Sequence, residues 1–344
     1  MYLTVVAVAN GHAGMSPWSV AHRNKEKGEE KMHIFFQFVL LVVGFILLVK
    51  GADFFVEGAS GIAGKFGIPQ LVIGLTIVAM GTSAPEAAVS ITAALSGGEG
   101  VDLTIGNVVG SNIMNILVIL GITAVIVPVA IQKSTLLIEL PFMIGVTILL
   151  LLLGMTGNEI TRLEGVILWA FFLVYMAYLL WMAKKGKAEA EEEHVEKKIG
   201  TLLFLTVLGA VAIVFGSDLV VDSASEIAGF FGVSQRVIGL TIVAFGTSLP
   251  ELVTSVTAAK RGKADIAIGN IVGSNVFNIL FVVGTTALIT PVAYASSFLV
   301  DGLLAIVAGI ILLLGVLRKQ RLCRSVGIIM LAVYVEYFVY LMIS

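Results

Sequence analysis

Ten long, mostly apolar runs constrain this chain more than any other feature: 34–59, 68–95, 103–127, 134–154, 161–183, 200–227, 235–259, 265–290, 296–317 and 325–343. A membrane-spanning helix needs about 20 such residues. A single soluble core has no room for ten of them. The runs lack the alternating ten-residue pattern of a membrane β-barrel. The expectation is an all-α polytopic membrane protein with ten transmembrane helices. Composition agrees, with 58% apolar and 13% charged residues, against about 25% charged in soluble domains. That deficit excludes a soluble enzyme, a nucleic-acid binder and a disordered chain. The 37 glycines suit a bundle whose backbones approach closely. A lone cysteine, Cys323, rules out an internal disulfide and a thiolate metal cluster. His12, His22, His33 and His194 lie outside the runs, so neither an imidazole metal site nor an imidazole proton relay is expected inside the membrane.

Basic residues set the orientation. Loops that share one side of a ten-span chain hold fourteen Lys and Arg, among them Lys184, Lys185, Lys187, Lys197 and Lys198 in the longest loop. The other loops hold Arg162 and Arg236. The lysine-rich side is therefore expected to be cytoplasmic, with both termini external, in a multi-pass protein of the cell membrane. Loop 184–199 interleaves its Lys with Glu189, Glu191, Glu192, Glu193 and Glu196 and reads as a solvated linker; the alternative is a regulatory ion sensor. Residues 1–31 carry Arg23, Lys25, Lys27 and Lys31 on the expected outside and lack a signal-peptide apolar core. They read as a non-native or disordered extension, with translation beginning at Met32. The expected units are a first five-helix repeat over 34–183, the linker over 184–199, and a second repeat over 200–343.

The chain repeats internally. Residues 51–94 align with 216–259, with 28 of 44 positions identical. Gly81-Thr82-Ser83-Ala84-Pro85-Glu86 returns as Gly246-Thr247-Ser248-Leu249-Pro250-Glu251. After a two-residue slip, Ile105 to Asn115 returns as Ile268 to Asn278. Shared polar residues inside apolar spans make this a true repeat. Each copy holds five spans, an odd number, so the second enters the membrane upside down. Inverted repeats of this kind build secondary transporters, with the substrate site near the midplane between the halves.

Glu86 and Glu251 fall in mid-span. A charge there costs roughly 2.5–3.5 kcal/mol on insertion scales and is rarely idle. The central spans offer no Lys or Arg to pair with it, so a bound cation is the simplest partner. Pro85 and Pro250 precede the two acids. Each removes an N–H and clashes with the carbonyl four residues back. The helices should break there, freeing carbonyls around Ala79 to Ser83 and Ala244 to Ser248 to face a cavity. Ser111 and Asn115, like Ser274 and Asn278, are four apart and share a helix face. Asn107, Asn112, Asn270 and Asn275 sit beside them and read as inter-helix hydrogen bonders. All these donors are hard oxygens, suited to Ca²⁺ and also to Na⁺-like ions. Asp53 and Glu57 match Asp218 and Asp222 near span ends. Most such groups, with Glu139 and Asp301, read as interfacial or helix-end charges; Asp53 and Asp218 as an ion path is the alternative.

The paired Gly-Thr-Ser-x-Pro-Glu and Gly-Asn-x-x-Gly-Ser-Asn-x-x-Asn motifs resemble the cation/Ca²⁺ exchanger superfamily, and within it the prokaryotic Na⁺/Ca²⁺ exchangers. The resemblance covers 34–344. It implies antiport of Na⁺ against Ca²⁺ by alternating access, with spans 1 and 6 sliding over a rigid core. It further implies that Glu86 and Glu251 bind both ions and that Thr82 and Thr247 give carbonyls to Ca²⁺. Ser83, Ser111 and the Ala244 carbonyl would serve one Na⁺ site. Ser248, Ser274 and the Ala79 carbonyl would serve another, with Asn115 and Asn278 lining the middle. Asn278 stands where some K⁺-dependent relatives carry Asp, which argues against a K⁺ requirement and a third acid. Na⁺ and Ca²⁺ are substrates here; no cofactor, nucleic acid or obligate protein partner is expected, and the partner surface is the bilayer.

The leading function is a Na⁺/Ca²⁺ antiporter. A Ca²⁺/H⁺ antiporter is the runner-up, because a pair of Glu can also load protons. A Ca²⁺ channel fits the ligands but not the inverted repeat. An intramembrane aspartyl protease needs two Asp, and a serine protease needs a His within a span.

Overall fold

In a computed structural model the described residues are 17–96, 103–189, 197–233, 238, 241–242, 244–295 and 298–343. Side chains are described from Met32 onward. The first repeat comprises α1 (Pro17–Phe66), α2 (Gln70–Thr82), α3 (Ala84–Leu95), α4 (Thr104–Ile126), α5 (Thr135–Gly154) and α6 (Arg162–Glu189). The second comprises α7 (Ile199–Phe230), a helical turn at Ala244–Gly246, α8 (Leu249–Lys260), α9 (Ala264–Ile289), α10 (Phe298–Leu317) and α11 (Arg324–Ile343). Among the described residues, eight helices are long and apolar enough to span a membrane. The bent pair α2–α3 makes a ninth. The expected span 235–259 lies partly outside the described residues. The backbone is helical from Pro17, with no break at Met32; residues 1–16 of the expected extension, and 190–196 of the charged linker, lie outside the described residues.

Four two-residue strands, absent from the sequence expectation, tie the repeats together. β1 (Val129–Ala130) pairs with β4 (Arg321–Leu322), and β2 (Glu159–Ile160) pairs with β3 (Val292–Ala293). Each pair joins a loop of one repeat to a loop of the other, as an inverted repeat requires. On the β1·β4 face, Gln132 donates to Asp265 at 2.6 Å. Arg261 reaches Asp53 there, and Lys197 reaches Glu57. On the opposite face, Tyr294 N–H donates to the Asn158 carbonyl at 2.8 Å. These contacts fix a parity. The span α7 leaves the Lys197 face, so Phe230 ends it on the other face. Arg261 is back on the Lys197 face.

Packing divides the helices into a core and a pair lying against it. Every residue from Ile266 to Leu280 of α9 is buried. Its symmetry mate α4 lies beside it. By contrast α1, α6, α7 and α11 present Phe35, Leu173, Phe204 and Val335 outward; a soluble protein would not expose that much apolar surface. Helices α1 and α7 run antiparallel along a glycine seam. A Cβ on Gly51 would fall 2.9 Å from Ile213 N and 3.0 Å from the Gly209 carbonyl. One on Gly216 would fall 2.9 Å from the Gly44 carbonyl. Without a hydrophobic drive between helices in lipid, such close approach is what binds them. Helices α1 and α7 also end alike: Gly67 (φ 63°) and Gly232 (φ 82°) adopt left-handed conformations that close the last turn.

Candidate functional site

The two Gly-Thr-Ser-x-Pro-Glu motifs sit at helix breaks. Helix α2 ends at Thr82, and Ser83 (φ −84°, ψ 8°) leaves helical geometry. Helix α3 then restarts with Pro85 and Glu86 in its first turn, bent 52° from α2. Ser248 (φ −93°, ψ 2°) repeats the break before α8, whose first turn holds Pro250 and Glu251. Proline explains both: the carbonyls of Gly81 and Gly246 lose the N–H four residues on. The acids fall at helix N-termini, which favour negative charge.

Both acids are buried, Glu86 at 1% and Glu251 at 0% exposure. The hydroxyl of Ser83 donates to Glu251 Oε1 at 2.8 Å, which brings the first repeat's break against the second repeat's acid. Among the described residues, neither Glu86 oxygen has a partner, nor has Glu251 Oε2. The Ser274 hydroxyl donates to the Ala79 carbonyl at 3.4 Å, and Ser83 N–H to the same oxygen at 2.9 Å. That carbonyl is engaged rather than free. Ser248 Oγ is buried without a partner, Ser111 is buried, Thr247 is half-buried, and Ala244 opens the short helical turn.

Four asparagines form a pseudo-symmetric lock between α4 and α9. The Asn112 and Asn275 amides donate to each other's backbone carbonyls at 3.1 and 3.2 Å. Asn115 Nδ2 donates to Asn275 Oδ1 at 3.0 Å, and Asn278 Nδ2 donates to Asn112 Oδ1 at 3.3 Å. Each donation turns the other end of an amide, so Asn115 Oδ1 and Asn278 Oδ1 remain buried and unpartnered. A π-helical turn begins at each of these two residues, over Asn115–Leu120 and Asn278–Val283; such turns are frequent at functional sites. Asn270 donates to the Glu251 carbonyl at 3.3 Å and to Ser255 Oγ at 2.9 Å, and accepts from Thr82 at 3.0 Å. Asn107 donates to Ser90 at 3.3 Å. Asn107, Asn112, Asn270 and Asn275 thus act as inter-helix ties, as their positions suggest.

An unmet buried polar group costs about 1–3 kcal/mol, and a charged one more. A concentration of unpartnered carboxylate, amide and hydroxyl oxygens at one break therefore marks a place for a positive partner. Hard oxygens in this number suit Ca²⁺, which takes 6–8 of them. Among the described residues no site gathers three or more His, Cys, Asp or Glu.

Two features escaped sequence reasoning. Ser217 on α7 donates to the Gly246 carbonyl at 2.8 Å, the very group that Pro250 leaves without a donor. Its counterpart in the first repeat is Ala52, so repeat identity could not point to it. Glu139 is 1% exposed rather than interfacial; Tyr178 on α6 donates to it at 2.6 Å. Asp301 takes the matching bond from Tyr337 at 2.8 Å. The aspartates of the alternative ion path lie away from this centre. Asp53 is paired with Arg261 at the Lys197 face, and Asp218 is exposed.

Inverted helical halves around broken helices and a buried oxygen cluster define a secondary cation transporter. The chain belongs to the sodium/calcium exchanger family: the family model for sodium/calcium exchanger proteins matches residues 36–181 and 201–343. It is 40% identical to a putative antiporter, CaxA, of Alkalimonas amylolytica, over 87% of this chain and 96% of that protein. It is 33% identical to the sodium/calcium exchanger MaX1 of Methanosarcina acetivorans, over 88% and 98%. Its fold matches a solved structure of the sodium-calcium exchanger NCX_Mj, soaked with zero Na⁺ and Ca²⁺, with a TM-score of 0.77 and 31% identity over 90% of this chain and 99% of that one. Members of this family are transporters, not enzymes.

Proposed function

We propose that this chain exchanges Na⁺ for Ca²⁺ by alternating access, with both ions held in turn at the paired helix breaks. The observation that carries this reading is the set of unpartnered buried oxygens around Glu86, Glu251, Asn115 and Asn278. Two carboxylates neutralise one Ca²⁺. The carbonyls of Thr82 and Thr247 serve Ca²⁺; the same carboxylates hold Na⁺ in its place, with Ser83, Ser111 and the Ala244 carbonyl at one site and Ser248, Ser274 and the Ala79 carbonyl at another. Loading by one ion then excludes the other, which is what couples the two fluxes. Helices α1 and α7 slide together along the face of the core. The Lys197 face is cytoplasmic and both termini are external, as the excess of Lys and Arg on that side favours.

The test is flux in proteoliposomes. Vesicles loaded with Na⁺ and diluted into Na⁺-free ⁴⁵Ca²⁺ should take up calcium, and vesicles without a Na⁺ gradient should not. Uptake driven by a pH gradient and indifferent to Na⁺ would replace this reading with Ca²⁺/H⁺ antiport. An inside-negative potential should alter the rate if charge movement is unequal, since each elementary charge is worth about 2.3 kcal/mol per 100 mV.

A further inference from the structure

One face of the molecule carries an ion-pair cluster centred on Arg261. Arg261 follows α8 in the core. Its guanidinium contacts Asp53 of α1 at 2.8 Å through Nη2, with Nε at 3.1 Å from the same Oδ1, and it reaches Glu57 at 3.4 Å through Nη1. Glu57 also pairs with Lys197, just before α7, and Lys65 donates to the Lys197 carbonyl at 3.0 Å. The cluster thus ties the α1–α7 pair to the core at one end. Beneath it lies a cavity of about 410 Å³ between α1, α4 and α8, lined by Asp53, Leu252, Val256 and Arg261.

The repeat supplies an internal control. Asp53 and Glu57 have counterparts, Asp218 and Asp222, at the other end of the pair. The stretch matching Arg261 is Ser96-Gly97-Gly98, and the position matching Lys197 is Met32. At these aligned positions the carboxylates are duplicated, whereas Arg261 and Lys197 have no Lys or Arg counterpart. At that end lies a cavity of about 680 Å³, lined by His33, Gln37, Asp222, Ser225 and Glu226.

We propose that Arg261 is a positioning residue for sidedness: its bridge to Asp53 and Glu57 latches α1 to α8 and holds the ion-free carrier closed at the Lys197 face. The inference rests on the alternating-access reading above. A latch made in only one of two states shifts their equilibrium by its differential strength. At side-chain exposures of 37% for Arg261 and 30% for Asp53, that strength is that of a partly screened bridge, enough for roughly a fivefold change in population.

The test uses the full chain with Cys323→Ser and Val256→Cys, which places a thiol in the 410 Å³ cavity. Labelling by a membrane-impermeant thiol reagent is followed from the Lys197 face, without Na⁺ or Ca²⁺. Arg261→Ala should raise the labelling rate roughly fivefold, and Lys197→Ala by less. The swap Arg261→Asp with Asp53→Arg should return the rate to that of the parent. Apparent Ca²⁺ affinities measured from the two faces should draw together in Arg261→Ala. The latch is overturned if Arg261→Ala leaves the rate unchanged, or if the swap, transporting normally, labels like Arg261→Ala. In either case the parent still shows labelling that responds to Na⁺ and Ca²⁺. A parent whose labelling ignores both ions and which carries no Na⁺-driven Ca²⁺ flux sinks alternating access itself, and the latch with it.

Discussion

At the scale of the residue, the proposed function rests on buried oxygens that have no partner among the described residues. Glu86 and Glu251 were legible because a mid-span carboxylate without a basic neighbour is costly. The asparagine lock was only half legible. Spacing placed Asn115 and Asn278 on the serine face, but only the structure shows that Asn112 and Asn275 hold their amides in one orientation. Ser217 was invisible, because its role comes from tertiary contact with a carbonyl that proline orphans 29 residues later. Two predictions belong here. Glu86→Gln should abolish Na⁺-driven Ca²⁺ uptake while the protein remains monodisperse, and Ca²⁺ should no longer raise its melting temperature. A ligand at 100 times its Kd stabilises by about 2.7 kcal/mol, so the lost shift is measurable by thermal unfolding in detergent. Asn275→Ala removes an orienting partner rather than a ligand. It should weaken apparent Ca²⁺ affinity roughly tenfold and leave maximal exchange largely intact, as concentration-dependent flux would show.

At the scale of the element, proline and glycine do opposite work. Pro85 and Pro250 break helices where ligands are needed, and the sequence motif alone foretold the 52° bend at Ser83. Span boundaries were equally legible: the expected 134–154 and 325–343 became Thr135–Gly154 and Arg324–Ile343. Apolar run length dictates both. The strand pairs β1·β4 and β2·β3 were not legible, because two residues carry no periodicity and the pairing is decided by loops far apart in sequence. The burial of Glu139 was missed for a related reason, since its partner Tyr178 sits on the next helix. Along the α1–α7 seam, Gly51→Leu places a branched side chain where a Cβ already lies 2.9 Å from backbone. It should cost about 1–3 kcal/mol in stability, read as a lowered melting temperature. If α1 and α7 move as one body, exchange should fall further than that loss explains, while Ca²⁺ binding by the folded fraction persists.

At the scale of the whole molecule, inversion of the repeat sets the architecture and underlies the proposed mechanism. An odd number of spans per repeat makes the halves face opposite ways, and the cross-repeat strand pairs and polar contacts at each face obey that parity. The orientation in the membrane is a separate matter, resting on loop charge. A cysteine replacing Lys198 in a Cys323→Ser background should react with an impermeant reagent only in inside-out vesicles; reaction in right-side-out vesicles alone would reverse the assigned sides. The central claim is that one pair of carboxylates serves both ions in turn. Ca²⁺ affinity of the purified protein, titrated against Na⁺ at constant ionic strength, tests it most directly. The account predicts that apparent Kd rises with Na⁺ more steeply than first order, because several Na⁺ displace one Ca²⁺, and that Glu251→Gln abolishes Ca²⁺ binding. A Kd unmoved by Na⁺, or full Ca²⁺ affinity in Glu251→Gln, would contradict it.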